Sequence, residues 1–112
     1  MMEFAICQWQ PDLSPEAIES LRTEGVTAIE PGPSFLLDRD AATLKADAGR
    51  LRAAGITVYS CHAPFGDDSD LSLPAEDARR AAVRRHVRTL QQAALAGAQC
   101  LVIHPSGPVE PK

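Results

Sequence analysis

The repeating unit of this chain is clearest in residues 97–104, which read Gly97-Ala-Gln-Cys-Leu-Val-Ile-His104. A glycine that can end a helix is followed by an apolar run rich in strand-forming residues, and the run closes on a polar side chain. The same order begins at Gly25, before the run to Glu30, and at Gly55, before the run to Cys61 and His62. This repetition predicts a chain in which helices and strands alternate.

The segments between the apolar runs have helical spacing and helix-capping residues, such as Ser14 followed by Pro15. We expect strands over about 3–8, 26–30, 56–61 and 99–104, and helices over about 14–24, 40–54 and 74–96. In the longest helix, the apolar residues at 4, 3 and 4 spacing predict its buried side; they are Val83, Val87, Leu90 and Ala94. The neighbouring arginines and His86 predict a solvated outer face.

The order βαβαβαβ requires parallel strands with right-handed crossovers. It fits a small open α/β sheet or the N-terminal half of a (β/α)₈ TIM barrel, whose full length is about 250 residues. Residues 1–112 are expected to form one partial domain. A half-barrel leaves two edge strands and one sheet face uncovered. We therefore expect either self-association into a homo-oligomer or coverage by a missing C-terminal half.

Composition excludes several classes of protein. The formal net charge of −4 argues against a nucleic-acid partner. No window approaches the roughly 18 apolar residues that a membrane span requires, and no leader segment precedes the first strand, which predicts a cytoplasmic protein without membrane contact. Cys7, Cys61 and Cys100 lie far apart inside apolar runs, which predicts buried, reduced thiols.

Four side chains are candidates for a site because they follow or close predicted strands: Trp9, Glu30, His62 and His104. Ligands of parallel α/β folds gather at the carboxyl ends of the strands. One carboxylate and two imidazoles there have the composition of a divalent-metal site, for zinc, manganese or a similar ion. Taken singly, a histidine at a strand end is more often a hydrogen-bonded structural residue than a ligand. Glu30 is equally explained as a solvated strand end, and Trp9 as packing.

Several segments together resemble one family of barrels. They are Gly25-Val-Thr-Ala-Ile-Glu30, His62-Ala-Pro-Phe65, Asp70-Leu-Ser-Leu73, Ala96-Gly-Ala98 and Val102-Ile-His-Pro-Ser-Gly107. The last four resemble the third and fourth units of the xylose isomerase-like TIM barrels, and the first looks like their second strand. That family includes sugar and sugar-phosphate isomerases and epimerases as well as endonuclease IV. The resemblance covers nearly the whole chain.

The resemblance implies roles for the four candidates. In members like endonuclease IV, His62 and His104 would be zinc ligands; in the sugar isomerases and epimerases, the same positions often face the substrate. Glu30 matches a carboxylate at the rim of the barrel, and Trp9 would line the sugar pocket. The acids that the family takes from strands five to eight have no counterpart in these 112 residues, so we expect the isolated chain to be incomplete for catalysis.

Three functions follow from the resemblance. The first is a sugar or sugar-phosphate isomerase or epimerase that uses metal-dependent proton transfer beside a carbonyl. The second is an endonuclease IV-like zinc phosphodiesterase, which would need a basic groove. The third is a non-catalytic half-barrel that binds a small ligand or a second copy of itself. The acidic net charge favours the first over the second.

Overall fold

The computed structural model of the protein describes residues 4–106. The first residue of the predicted strand 3–8, and the tail from Gly107 onward, lie outside the described residues. The strands are β1 (Ala5–Gln8), β2 (Ala28–Pro31), β3 (Thr57–Val58), β4 (Ser60–His62) and β5 (Cys100–Val102). The helices are α1 (Pro15–Thr23), α2 (Pro33–Leu37), α3 (Ala41–Ala53) and α4 (Glu76–Leu95), with a 3₁₀ turn at Asp67–Ser69.

The helices begin and end where local chemistry allows. Ser14 caps α1 by accepting a hydrogen bond from the backbone N–H of Ala17, and Asp40 caps α3 through the N–H of Thr43. After α1 and α3 the chain turns at Gly25 and Gly55, which both have φ of 80°. Glycine takes this conformation without a Cβ penalty, so each helix leads directly into the next strand.

The strands pair in parallel, as predicted. The first three lie in the order β1-β2-β3, with Ile6 beside Ile29 and Ile29 beside Val58, and β4 pairs with β5 through Cys61 and Leu101. The alternation of parallel strands and helices confirms the α/β fold class. None of the helices within residues 4–106 is long and apolar enough to cross a lipid bilayer.

The predicted strand over 56–61 is divided at Tyr59. Val58 and Cys61 are both buried on the helix-covered side, whereas strict alternation would place residues 58 and 60 on one face. The N–H groups of Gln99 and Cys100 both donate to the carbonyl of Tyr59, at 2.8 and 3.3 Å. An extra residue that breaks alternation in this way is the mark of a β-bulge. As a result, the side chains of β4 do not continue the alternation between the two faces of the sheet that β3 begins.

The apolar core lies between the sheet and the helices. Its fully buried side chains are Ile29 of β2, Phe35 and Leu36 of α2, Leu44 and Leu51 of α3, and Ile56 just before β3. Helix α2 was not predicted, because its five residues are too few for helical periodicity to be read. It nevertheless supplies two of these core residues.

Helix α4 corrects one prediction about its faces. Val83, Val87 and Leu90 are 46 to 48% exposed and Ala94 is exposed, while Ala82, His86, Thr89 and Ala93 face the protein. His86 is therefore not part of a solvated outer face: it is 4% exposed, and its Nε2 lies 2.8 Å from the carbonyl oxygen of Ser69. On this side of α4, Ala93 belongs to the apolar core, and the neighbouring Gln92 donates hydrogen bonds to the carbonyls of Leu36 and Arg39.

The cysteine prediction is also corrected in part. Cys61 is fully buried, but Cys7 and Cys100 are exposed. Cys7 lies on β1 and Cys100 on β5, and each of these strands pairs with one other strand. Helices cover only one face of each strand. Their side chains point to the open face, which has no layer above it within the described residues.

Candidate functional site

All four predicted site residues lie together at the carboxyl ends of the strands. The imidazole Nε2 of His62 lies 2.9 Å from Oε1 of Glu30. The indole of Trp9 lies 5.3 Å from the His62 ring, and the His104 ring lies 5.6 Å from it in a stacked arrangement with an interplanar angle of 22°. These side chains come from four different segments of the chain, so only the fold brings them into contact.

Glu30 is held at both oxygens. His62 contacts Oε1, and the hydroxyl of Ser60 donates to Oε2. The bulge at Tyr59 makes this possible, because it turns Ser60 and His62 toward the face of β2 that carries Glu30. Ser60 is 9% exposed and was not predicted as a site residue. A serine inside an apolar strand, two residues before a strand-end histidine, was the available signal.

An aromatic wall stands beside this pair. Phe65 lies 5.9 Å from the ring of Trp9 and 5.1 Å from that of His104. Trp9 and Phe65 are 41% and 55% exposed, so both rings are accessible to a ligand. Phe65 belongs to the segment His62-Ala-Pro-Phe65 but was not predicted as a site residue. Tilted aromatic rings around a polar pair are suited to a ligand with both C–H and hydroxyl groups.

The contact between His62 and Glu30 must contain a proton, since an unprotonated imidazole nitrogen and a carboxylate oxygen are both acceptors. When the imidazole is neutral and Nε2 carries the proton, Nδ1 has the ring's lone pair. Nδ1 is buried and has no hydrogen-bond partner among the described residues. The pair can therefore hold or transfer one proton at the His62 Nε2 to Glu30 Oε1 contact.

The candidate ligands His62, His104 and Glu30 are not arranged as a divalent-metal site. Within residues 4–106, no group of three His, Cys, Asp or Glu side chains is arranged to hold an ion. Nε2 of His62 is engaged with Glu30, and Nδ1 is buried, so neither nitrogen presents an open lone pair. Residues 4–106 alone therefore do not fit a metal centre in this arrangement.

Cys61 lies beneath the site and does not share its chemistry. Burial raises the pKa of its thiol to about 12, and the negative charge of Glu30 acts in the same direction. A thiol with this pKa stays protonated at neutral pH. It is therefore a poor nucleophile.

The loop that carries Phe65 is attached to the rest of the fold at three places. The N–H of Ala63 donates to the carbonyl of Val102, the N–H of Leu71 donates to the carbonyl of Pro105, and His86 contacts the carbonyl of Ser69. The first two bonds join this loop to the segment around His104. Phe65 and His104 are thus positioned relative to each other by backbone contacts.

A groove of about 600 Å³ lies elsewhere, between α4 and the 3₁₀ turn. Its charged lining consists of Arg84, Arg85 and Arg88 on the helix and of Asp67 and Asp68 on the turn. The carboxylates oppose the guanidinium groups, so the groove is not a uniformly basic surface. None of the four predicted site residues lines it, and the arginine run was assigned no site from the sequence.

The sequence matches no protein-family model and no curated protein sequence. Comparison of structures does find similar folds. A D-psicose 3-epimerase crystallised in the presence of D-fructose has a TM-score of 0.75 at 20% identity, over 97% of this chain and 42% of that one. The D-psicose 3-epimerase of Clostridium cellulolyticum H10, with D-tagatose, has 0.74 at 18%, over 89% and 36%.

A xylose isomerase domain protein from Planctomyces limnophilus has a TM-score of 0.65 at 17% identity, over 93% of this chain and 41% of that one. The chain therefore spans about two fifths of the length of these three proteins. Its fold is that of part of a TIM barrel, as in these proteins, which confirms the predicted half-barrel over a separate open sheet.

Proposed function

We propose that the strand ends of this chain form one wall of the sugar site of an isomerase or epimerase that acts on a sugar or sugar phosphate. The observation that carries the proposal is the contact between Glu30 and His62, 2.9 Å long and bordered by Trp9, Phe65 and His104. Fixed hydrogen-bonding groups beside open aromatic faces match the mixed polar and apolar surface of a sugar.

In this proposal the chain binds and orients the sugar. Glu30 accepts hydrogen bonds from sugar hydroxyls, and His62 exchanges the shared proton with them. Trp9 and Phe65 contact the C–H groups and keep water from that side. Proton transfer next to a carbonyl needs acid and base groups placed around the reacting carbon. Glu30 and His62 lie on one side only, so the complete reaction uses groups that the described residues do not supply.

The metal implied by the resemblance is a separate part of the proposal. A divalent ion supplies polarisation of a carbonyl oxygen when it is bound. For His62 and His104 to ligate one, the contact between His62 and Glu30 has to open, and further donors have to come from outside the described residues. We expect the isolated chain to bind Zn²⁺ weakly, with a loss of binding in a variant that combines His62→Ala and His104→Ala; unchanged binding would remove both residues as ligands.

The phosphodiesterase alternative lacks a specific observation in its favour. It requires clustered metal ligands and a basic surface for a phosphate backbone. The described residues contain no three-ligand cluster, and the arginine groove has aspartates on its other wall. The sugar proposal needs neither feature.

The proposal can be tested by binding, without turnover. Trp9 is the only tryptophan in the sequence, so intrinsic tryptophan fluorescence reports on the site alone. Titration with D-fructose or D-tagatose is expected to change this fluorescence saturably. At roughly −0.3 kcal/mol per heavy atom, a hexose would bind with a dissociation constant on the order of millimolar.

Glu30→Gln should weaken this binding by about tenfold, because it replaces a charged hydrogen-bond acceptor with a neutral group. The matched control is Glu16→Gln, which removes the same charge from the exposed first turn of α1 and should leave binding unchanged. Sugar responses that are linear rather than saturable, or equal in Glu30→Gln and the parent chain, would refute the proposed sugar site.

A further inference from the structure

Gly32 lies in direct contact with the tryptophan of the proposed sugar site. A Cβ atom built on Gly32 would stand 2.7 Å from Cδ2 and 2.8 Å from Cε2 of Trp9, and 2.9 Å from its carbonyl oxygen. All three separations are shorter than real carbon contacts. The indole therefore occupies the space that any other residue at position 32 would need.

Backbone conformation is not the reason for a glycine at this position. Gly32 has φ of −76° and ψ of 177°, which is extended backbone open to every amino acid. The other glycines at chain turns, such as Gly25 and Gly66, have φ of 80° and 105° and are explained by that alone. At Gly32 the explanation is the close approach of Trp9.

We infer that Gly32 is a positioning residue, whose missing side chain sets the place of the Trp9 indole in the aromatic wall of the site. The N–H of Gly32 also donates to the carbonyl of Trp9 at 3.0 Å, so the backbone and the ring of Trp9 are both fixed against the start of α2. With this support, the indole lies 5.3 Å from His62 and 5.9 Å from Phe65.

The segment around Gly32 has little freedom to absorb a side chain. It is flanked by Pro31, which is fully buried, and by Pro33, the first residue of α2. Proline fixes its own φ and restricts the preceding residue to extended conformations. A methyl group at position 32 would therefore displace the indole and strain the hydrogen bond to the Trp9 carbonyl, because the backbone of residues 31–33 cannot swing away.

The test is Gly32→Ala, observed by NMR without any ligand. Because the chain has one tryptophan, the Trp9 indole N–H gives a single resonance. We expect this resonance to shift, and the nuclear Overhauser effects from the indole to the rings of His62 and Phe65 to weaken. Gly49→Ala is the matched control: Gly49 lies inside α3 with no atom within 4 Å of its Cβ position, and the variant should keep the parent contacts.

Thermal unfolding provides a second measurement. Gly32→Ala should lower Tm in the parent chain and lower it less in a Trp9→Ala background, since part of the clash is then removed. The inference is overturned if Gly32→Ala retains the parent contacts of the indole, or if its effect on Tm is the same with and without Trp9.

The consequence for ligand binding rests on the proposed function. If Trp9 contacts a sugar, Gly32→Ala should raise the dissociation constant for D-fructose by about tenfold, the effect of a misplaced group in a pocket. The positioning role of Gly32 and the proposed sugar site can be refuted independently. A parent chain that binds no sugar refutes the proposed site but leaves the indole contacts to decide on Gly32, whereas sugar binding unaffected by a displaced indole removes Trp9 from the site.

Discussion

Single side chains in this protein are controlled by the group directly beside them. Glu30 and Cys61 are close enough to interact, yet their side chains have opposite environments. The carboxylate accepts hydrogen bonds from Ser60 and His62 and remains partly accessible. The thiol faces the apolar side of the sheet and is fully buried. Because the two side chains face different sides of the sheet, the polar groups belong to the site and Cys61 contributes only to packing.

The raised pKa of Cys61 makes a pH prediction. Its pKa rises from an ordinary 9.0 to about 12 in the folded chain. Between these values the unfolded chain releases the proton and the folded chain retains it, so the free energy of unfolding falls as pH rises through this window. Below pH 9 the contribution is fully present. One such group changes the free energy by about 1.4 kcal/mol per pH unit.

The measurement is chemical denaturation of the parent chain and of Cys61→Ala between pH 8 and about 11. The variant should be less stable than the parent at pH 8, and its decline with pH should be shallower by the contribution of this thiol. Cys100→Ala serves as the control, because Cys100 is exposed. Parallel declines for the parent and Cys61→Ala would show that this thiol ionises equally in both states.

In two elements, the sequence of the element does not determine which of its side chains face the rest of the protein. The strand 56–61 was predicted as continuous, but the bulge at Tyr59 shifts the phase of β4 and places Ser60 and His62 beside Glu30. In α4, the side with larger apolar residues faces outward and the side with His86 and Thr89 faces the protein. Periodicity identifies a helix and its apolar stripe, but the orientation of the stripe depends on which neighbours are present.

His86 gives a prediction at this scale. Its ring is buried, and its Nε2 contacts the Ser69 carbonyl, which holds the 3₁₀ turn against α4. His86→Ala leaves that carbonyl without its partner and creates a cavity, so it should cost about 1–3 kcal/mol. Urea denaturation measures the loss.

The control for this prediction is Gln91→Ala, on an exposed position of α4, which should change stability by less than about 0.5 kcal/mol. If His86→Ala proved as stable as Gln91→Ala, the outward orientation first expected for His86 would be the better description of the chain in solution.

At the scale of the whole molecule, two apolar surfaces are uncovered within the described residues. One is the stripe Val83, Val87 and Leu90 on α4; the other is the open face of the sheet, with Tyr59 47% and Val102 36% exposed. Exposed apolar surface of this extent favours association. In a complete barrel of the kind that the chain resembles, further strands and helices would cover comparable surfaces.

We predict that the purified chain associates with itself, through the stripe on α4. Sedimentation velocity should give species larger than the 12.0 kDa monomer, with a fraction that increases with concentration. Leu90→Glu should shift the distribution toward monomer, because it places a charge in the contact. Gln91→Glu adds the same charge at the next position and should have no such effect. A folded chain that stays monomeric at every concentration would contradict the prediction.

Much of the fold followed from local signals. Gly25 and Gly55 marked helix ends, Ser14 and Asp40 marked helix starts, and apolar runs marked the strands, because these preferences act within a few residues. Helix α2 was not predicted, because five residues are too few for helical periodicity to be read. The placement of Cys7 and Cys100 was also wrong, because exposure on a strand depends on whether a layer covers it.

The sequence by itself determined the alternation of parallel strands and helices and the set of four strand-end residues, Trp9, Glu30, His62 and His104. The carboxyl ends of parallel strands lie at one edge of the sheet, so the grouping of these four residues follows from chain order. The tertiary structure alone decided that Ser60 and His62 share Glu30, that Phe65 joins the aromatic wall and that Gly32 supports Trp9. Those contacts join residues 23 to 56 positions apart or depend on the phase of a bulged strand, and local preferences carry no information about either.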